Sequence, residues 1–173
     1  MKTLLIIILL TVLSSNNSIF VKHKIFKKHK KNKGLVAFKK CKSQEELTEK
    51  VFSCLPKIQG WCSKEKSEEI IDNIIEEQHQ IYVEIGVYAG ASLLPALAAL
   101  TYLRQGKVFA IDPWSNSQCI KNLDYNDPNR KWWKAVDLKQ IEDSFLTMLK
   151  NYNFKNKCKI LKCSSDEALK KFE

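Results

Sequence analysis

The sequence predicts an α/β fold built on a parallel sheet, and three observations carry that expectation. Short apolar, β-rich runs, IYVEI (81–85), KVFAI (107–111) and CKILKC (158–163), alternate with segments of helical periodicity. A strand–helix–strand–helix–strand order is that of right-handed crossovers in one parallel sheet. The residues able to bind a ligand gather where these runs end, and open α/β sheets hold their ligands at the C-terminal ends of strands.

Taken in order, residues 1–21 begin MKTLLIIILLTVLSSNNS: one basic residue, an apolar run from Leu4 to Leu13, then small polar residues, the pattern of a hydrophobic signal or anchor-like segment. The run is short against the ~20 residues of a membrane span. VKHKIFKKHKKNK follows at once, and dense positive charge beside an apolar segment stays on the cytoplasmic side. A cleaved signal leading to secretion, a cytosol-facing anchor and a non-native upstream start all remain open. Residues 22–42 read as a Lys-rich linker, and residues 43–173 as the globular domain.

Within that domain, Ser43 and Glu46 fit a capping box ahead of Leu47, Val51 and Phe52. Pro56 and Gly60 punctuate LPKIQGW. Ser63 can cap a second helix, in which Ile70, Ile71, Ile74 and Ile75 form one apolar stripe. After IYVEI comes a long apolar helix over 91–105; after KVFAI an amphipathic helix over 137–151, through Ile141, Phe145 and Leu149; after CKILKC the helical start SDEALKKF. Cys158 and Cys163 stand five apart on one run and so point to opposite faces.

Length and composition allow one buried core: 173 residues, 45% of them hydrophobic. The net charge of +10 is uneven, with 12 Lys against 3 Glu in residues 1–50, so the remainder is nearly neutral. Of 29 basic residues only Arg104 and Arg130 are arginine, the better phosphate ligand, which argues against nucleic-acid binding. The Lys-rich start, within residues 1–33, suits an anionic membrane surface instead. None of the six cysteines has C-x-x-C spacing and no Cys/His cluster has zinc spacing, so reduced thiols in a reducing compartment and no metal are expected.

The chemistry concentrates in VEIGVYAGAS, Val83 to Ser92. A dinucleotide turn needs G-x-G-x-x-G with pyrophosphate on the helix N-terminus, whereas here the glycines are Gly86 and Gly90 and Glu84 stands beside them, where it would repel pyrophosphate. No G-K-[ST] follows, which excludes a Walker A loop. A ligand with an ammonium near Glu84 and a ribose near Asp112, at the end of the second run, fits better, since a carboxylate accepts from both ribose hydroxyls. Glu84 pairing with a lysine and Asp112 capping the turn before Pro113 are the plain structural alternatives.

VEIGVYAGAS followed by VFAIDPW resembles motifs one and two of the class I S-adenosylmethionine-dependent methyltransferases, and the type 24 group in particular, in which a GWCSKEK-like segment precedes the first strand as Gly60–Lys66 do here. The resemblance runs from Gly60 to the end of the chain. It implies a Rossmann-like three-layer fold with S-adenosylmethionine as cofactor and a small-molecule methyl acceptor. Gly86 and Gly90 would admit the methionyl part, Glu84 would meet its ammonium, Asp112 the ribose, and Trp114 would flank the adenine beside Ser164 and Ser165, with Trp61 a weaker candidate. Ser164 stands where the family often has an acid. The family's sheet has further strands, so the chain reads as the cofactor-binding half of such an enzyme, inert alone, with no catalytic residue to name and with an open edge on Ile81–Ile85 that invites self-association. A cytoplasmic site, or the cytoplasmic face of a membrane, follows. The competing readings are a non-catalytic, membrane-associated basic interaction protein and a remnant nucleotide-binding oxidoreductase.

Overall fold

The computed structural model describes residues 4–8 and 38–171. Four parallel strands form one sheet in the order β1 (Leu4–Ile8), β2 (Ile81–Ile85), β3 (Lys107–Ile111) and β4 (Cys158–Leu161). Leu4 stands opposite Ile81, Ile81 opposite Lys107, and Val108 opposite Cys158. The helices are α1 (Gln44–Cys54), α2 (Lys64–Glu76), α3 (Leu93–Tyr102), α4 (Asn116–Ile120), α5 (Pro128–Ala135), α6 (Leu138–Asn151) and α7 (Ser165–Leu169). An α/β parallel sheet flanked by helices is thus observed, as the strand–helix alternation requires.

The strand β1 departs from the sequence reading. Leu4–Ile8 belong to the stretch read as a signal or anchor, and they pair along the edge of β2 that was expected to be open. Unpaired N–H and C=O groups on a strand edge recruit a β-prone partner, and a short apolar run satisfies either description by periodicity. The rest of residues 1–21 and residues 22–37 of the Lys-rich linker lie outside the described residues. Among the described residues no helix is long and apolar enough to cross a membrane.

Alternation along the strands sends Tyr82, Val108 and Ala110 to one face and Val83, Ile111 and Leu161 to the other. The first face carries the main core, where Leu47 and Val51 of α1, Ile71 and Ile74 of α2, Leu93 and Leu97 of α3 and Phe145 of α6 are buried together. Strand order advances in one direction, and crossovers of one hand then place their helices on one face. The second face has a smaller cluster, closed by Ala168 of α7 and by Cys163, while Cys158 packs on the main core. The cysteines of the described residues are all free thiols.

Helix α3 is apolar on every side, with each residue from Leu93 to Leu100 buried, as a helix between a sheet and two others must be. Its C-terminal end is held by the Lys157 ammonium, which donates to the carbonyls of Gln105 at 2.7 Å and Leu100 at 3.4 Å. Ser43 and Ser63 accept from the amides of Glu46 and Lys66, as expected, but Glu46 reaches back to the amide of Lys42 rather than that of Ser43. Between β3 and α6, where the sequence reading assigned nothing, α4 and α5 form a tied pair. Asp127 and Pro128 start α5; Asn116 donates to the carbonyls of Trp133 and Val136, and Arg130 to those of Ile120 and Leu123.

If β1 completes the sheet, deleting residues 1–8 lowers the thermal midpoint by at least about 3 °C, the shift that 1 kcal/mol produces in a domain of this size, and moves the protein to larger species in size-exclusion chromatography. An unchanged midpoint and elution volume would show that the pairing contributes nothing.

Candidate functional site

The turn from β2 to α3 is built around two glycines with different tasks. Gly86 (φ +81°) is exposed at the strand end, and its N–H donates to the carbonyl of Ile111 at 2.9 Å, tying the turn to β3. Gly90 (φ +87°) is buried; a Cβ there would lie 2.7 Å from Met148 Cε and 2.9 Å from Phe145 Cδ2. Gly90 therefore lets α6 approach, and Gly86 is the glycine that faces solvent.

Asp112, at the end of β3, holds the turn in place. Its Oδ2 accepts from the Tyr88 amide at 2.9 Å and its Oδ1 from the Trp114 amide at 2.7 Å. Tyr88 (φ +54°) and Trp114 (φ +41°) are both non-glycine residues in the left-handed region, a conformation that costs on the order of 1 kcal/mol or more each and persists only when the surroundings enforce it. Burial pushes the Asp112 carboxyl above its ordinary range, against the pull of those amides. The turn before Pro113 is capped as the plain alternative anticipated.

Glu84 lies beneath the turn with no exposure at all. Its Oε1 accepts from the Ser92 hydroxyl at 2.8 Å and its Oε2 from the Tyr82 hydroxyl at 3.3 Å. It makes no ion pair among the described residues; Lys66 favours its charge only from a distance. Burial dominates and pushes the carboxyl up to about 7. The Ser92 hydroxyl, spent on Glu84, does not cap α3, so the carboxylate faces the positive end of that helix through Ser92.

The remaining predicted residues are placed less favourably for contact with a ligand. Trp114 is buried, its indole stacked on Phe145 with centroids 5.4 Å apart and its Nε1 donating to the Tyr88 carbonyl at 2.8 Å. Ser164 caps α7 in a reciprocal pair with Glu167, at 3.3 and 3.1 Å. Ser165 is exposed at the first position of that helix. The ends of β2, β3 and β4 do meet, since the Gly86 amide donates to the Ile111 carbonyl and the Asp112 amide to the Leu161 carbonyl, at 2.9 and 3.3 Å.

Sequence reasoning gave Trp61 only as a weaker candidate and missed the aromatic group that it forms with Tyr88 of the turn and Trp132 of α5. The Tyr88 ring lies 5.3 Å from that of Trp61 and 6.4 Å from that of Trp132, and those two indoles are 6.0 Å apart. Asp127-Pro128 ahead of Trp132 and Trp133 is a helix-start signal that could have placed them; no local signal marks Tyr88. Beside this group, Gly60, Cys62 and Ala91 border a cavity of about 300 Å³ whose other walls include Phe52, Leu55 and Ile58. No group of three or more metal-ligating side chains occurs among the described residues.

These features define an α/β domain with a carboxylate-flanked glycine turn at its strand ends. No family model, curated protein or solved structure matches the chain.

Glu84 sets a pH dependence. Below pH 4.5 it is protonated in both folded and unfolded chains; between 4.5 and about 7 the unfolded chain loses its proton first, so stability falls as pH rises. Above that window the cost is about 3 kcal/mol. Thermal melts should therefore show Glu84→Gln level with the wild type at pH 4.5 and more stable at pH 8, and parallel pH profiles would contradict this. Gly90→Ala, with its Cβ against Phe145 and Met148, should lose about 2–4 kcal/mol in urea unfolding; a loss under ~0.5 kcal/mol would mean that α6 yields freely.

Proposed function

We propose that the chain is an S-adenosylmethionine-dependent methyltransferase domain that acts on a small-molecule acceptor and seats the cofactor on the turn after β2. The observation that carries this reading is the juxtaposition of exposed Gly86 with two carboxylates at adjoining strand ends, Glu84 below it and Asp112 beside it. Such a turn repels a pyrophosphate and favours a cationic ligand, because a carboxylate shielded from water acts over several ångströms.

The residues fit the cofactor unequally. Gly86 offers backbone without a side chain. The Asp112 oxygens accept from the Tyr88 and Trp114 amides, with the Val87 amide also close to the carboxylate, and remaining lone-pair capacity can meet a ribose hydroxyl. Glu84 is sealed from contact, so it attracts an ammonium through the intervening turn. On this reading Trp114 shapes the turn from beneath, through Tyr88, and Ser164 and Ser165 border the adenine by backbone and by the exposed Ser165 hydroxyl. Bound there, the cofactor supplies an electrophilic methyl on a sulfonium. The chain's part is to hold that group in line with the acceptor's nucleophile, for which orientation is the main catalytic resource.

Calorimetric titration with S-adenosylhomocysteine tests the proposal. The wild-type chain should bind saturably, and Asp112→Ala should lose about 1–3 kcal/mol of binding free energy through unpaired ribose hydroxyls and a loosened turn. No heat of binding to a wild-type chain that melts cooperatively would overturn it.

A further inference from the structure

We propose that the exposed faces of Trp61 and Trp132 form the acceptor subsite and take a small planar aromatic molecule carrying negative charge. The word acceptor rests on the methyltransferase reading; the aromatic-anion site itself does not.

Three separate segments contribute the rings: the stretch ahead of α2, the glycine turn and α5. Trp61 is 53% exposed and Trp132 39%, while Tyr88 between them is buried. The group is held rigidly. The Tyr88 hydroxyl accepts from Gln59 Nε2 at 3.2 Å, its amide is bound by Asp112, and Trp133 packs on Trp132 at 4.6 Å. Tyr88 also stands two residues from Gly86, so the two exposed indoles lie next to the turn that would hold the cofactor.

Size and charge select the occupant. Two partly exposed indoles offer on the order of 200 Å², far below the about 1,000 Å² of a stable protein interface, but enough for one or two fused rings. A planar ring meets them in offset or edge-to-face geometry. Around the two indoles, residues 57–65 and 127–135 contain Lys57, Lys64, Arg130, Lys131 and Lys134 against Glu65 and Asp127; Arg130 is spent on the carbonyls of Ile120 and Leu123 and Lys64 lies over the Phe52 ring, which leaves Lys57, Lys131 and Lys134 to set a basic excess. That setting disfavours a cation on the rings and attracts a carboxylate or phenolate attached to an aromatic ligand.

The test uses the full chain with ¹⁵N-labelled tryptophan and 2-naphthoate as probe, following the indole N–H signals. Those of Trp61 and Trp132 should shift saturably while that of buried Trp114 stays fixed. Trp61→Ala and Trp132→Ala should each weaken binding roughly five- to tenfold, with the Trp114 signal reporting an intact fold and Trp61→Phe retaining most of the affinity. Cyclohexanecarboxylate should bind much more weakly, and a naphthylmethyl-trimethylammonium should not compete. The proposal is overturned by the absence of a saturable shift, by equal binding of the non-aromatic acid, or by preference for the cation. Naphthoate binding in a chain that ignores S-adenosylhomocysteine would remove the transferase and leave the aromatic-anion site, whereas cofactor binding without a naphthoate response would remove this subsite alone.

Discussion

The Asp112 carboxylate is the constraint on which the strand-end architecture depends. Two backbone amides converge on it, one from the turn after β2 and one from the turn after β3, and both belong to residues with positive φ. Without that acceptor, Tyr88 and Trp114 would relax toward ordinary conformations. The Trp114 indole bond to the Tyr88 carbonyl, its stacking on Phe145 and the ring contacts of Tyr88 would then all shift together. A single buried carboxylate thus links the sheet, α6 and the exposed aromatic surface. Charged hydrogen-bond acceptors of this kind are the stronger ones, and the cost of leaving those two amides unpaired exceeds the net gain of each bond.

The second carboxylate answers a different question. A negative charge beside a glycine turn looks misplaced if the turn is to hold an anion, yet Glu84 is satisfied within the fold by Ser92 and Tyr82 and lies at the positive end of α3. Its burial is costly, as the upward displacement of its ionisation shows. A bound cation near the turn would lower that cost. On the proposed reading the structural and ligand roles of Glu84 would be energetically coupled, ligand binding stabilising the ionised form that folding alone disfavours.

Much of this arrangement was legible in the residues. The three strand-like runs, the serine caps and the stripe through Ile70, Ile71 and Ile74 follow from periodicity and local hydrogen bonding, which are properties of short windows. The strand Leu4–Ile8 was not, because it pairs with residues 77 positions further along (Leu4 with Ile81) and a signal-like composition describes the same letters. Trp114 was assigned to a ligand, and its packing on Phe145, set by how α6 crosses the sheet, was not foreseen. Gly90 was given to the cofactor through the motif resemblance, and its closeness to Phe145 and Met148, which depends on the same crossing, was likewise not legible. Tyr88 went unremarked because an aromatic residue announces no function until the fold brings a second one beside it.

Amide hydrogen exchange at Tyr88 and Trp114 tests the central claim most directly, since it reads both the bracket made by Asp112 and its response to a ligand on the turn. In the free chain both amides should exchange as slowly as those of β2 and β3, and saturating S-adenosylhomocysteine should slow them further along with the rest of residues 86–90. Fast exchange at both amides, or protection that ignores the ligand across the whole turn, would contradict the account.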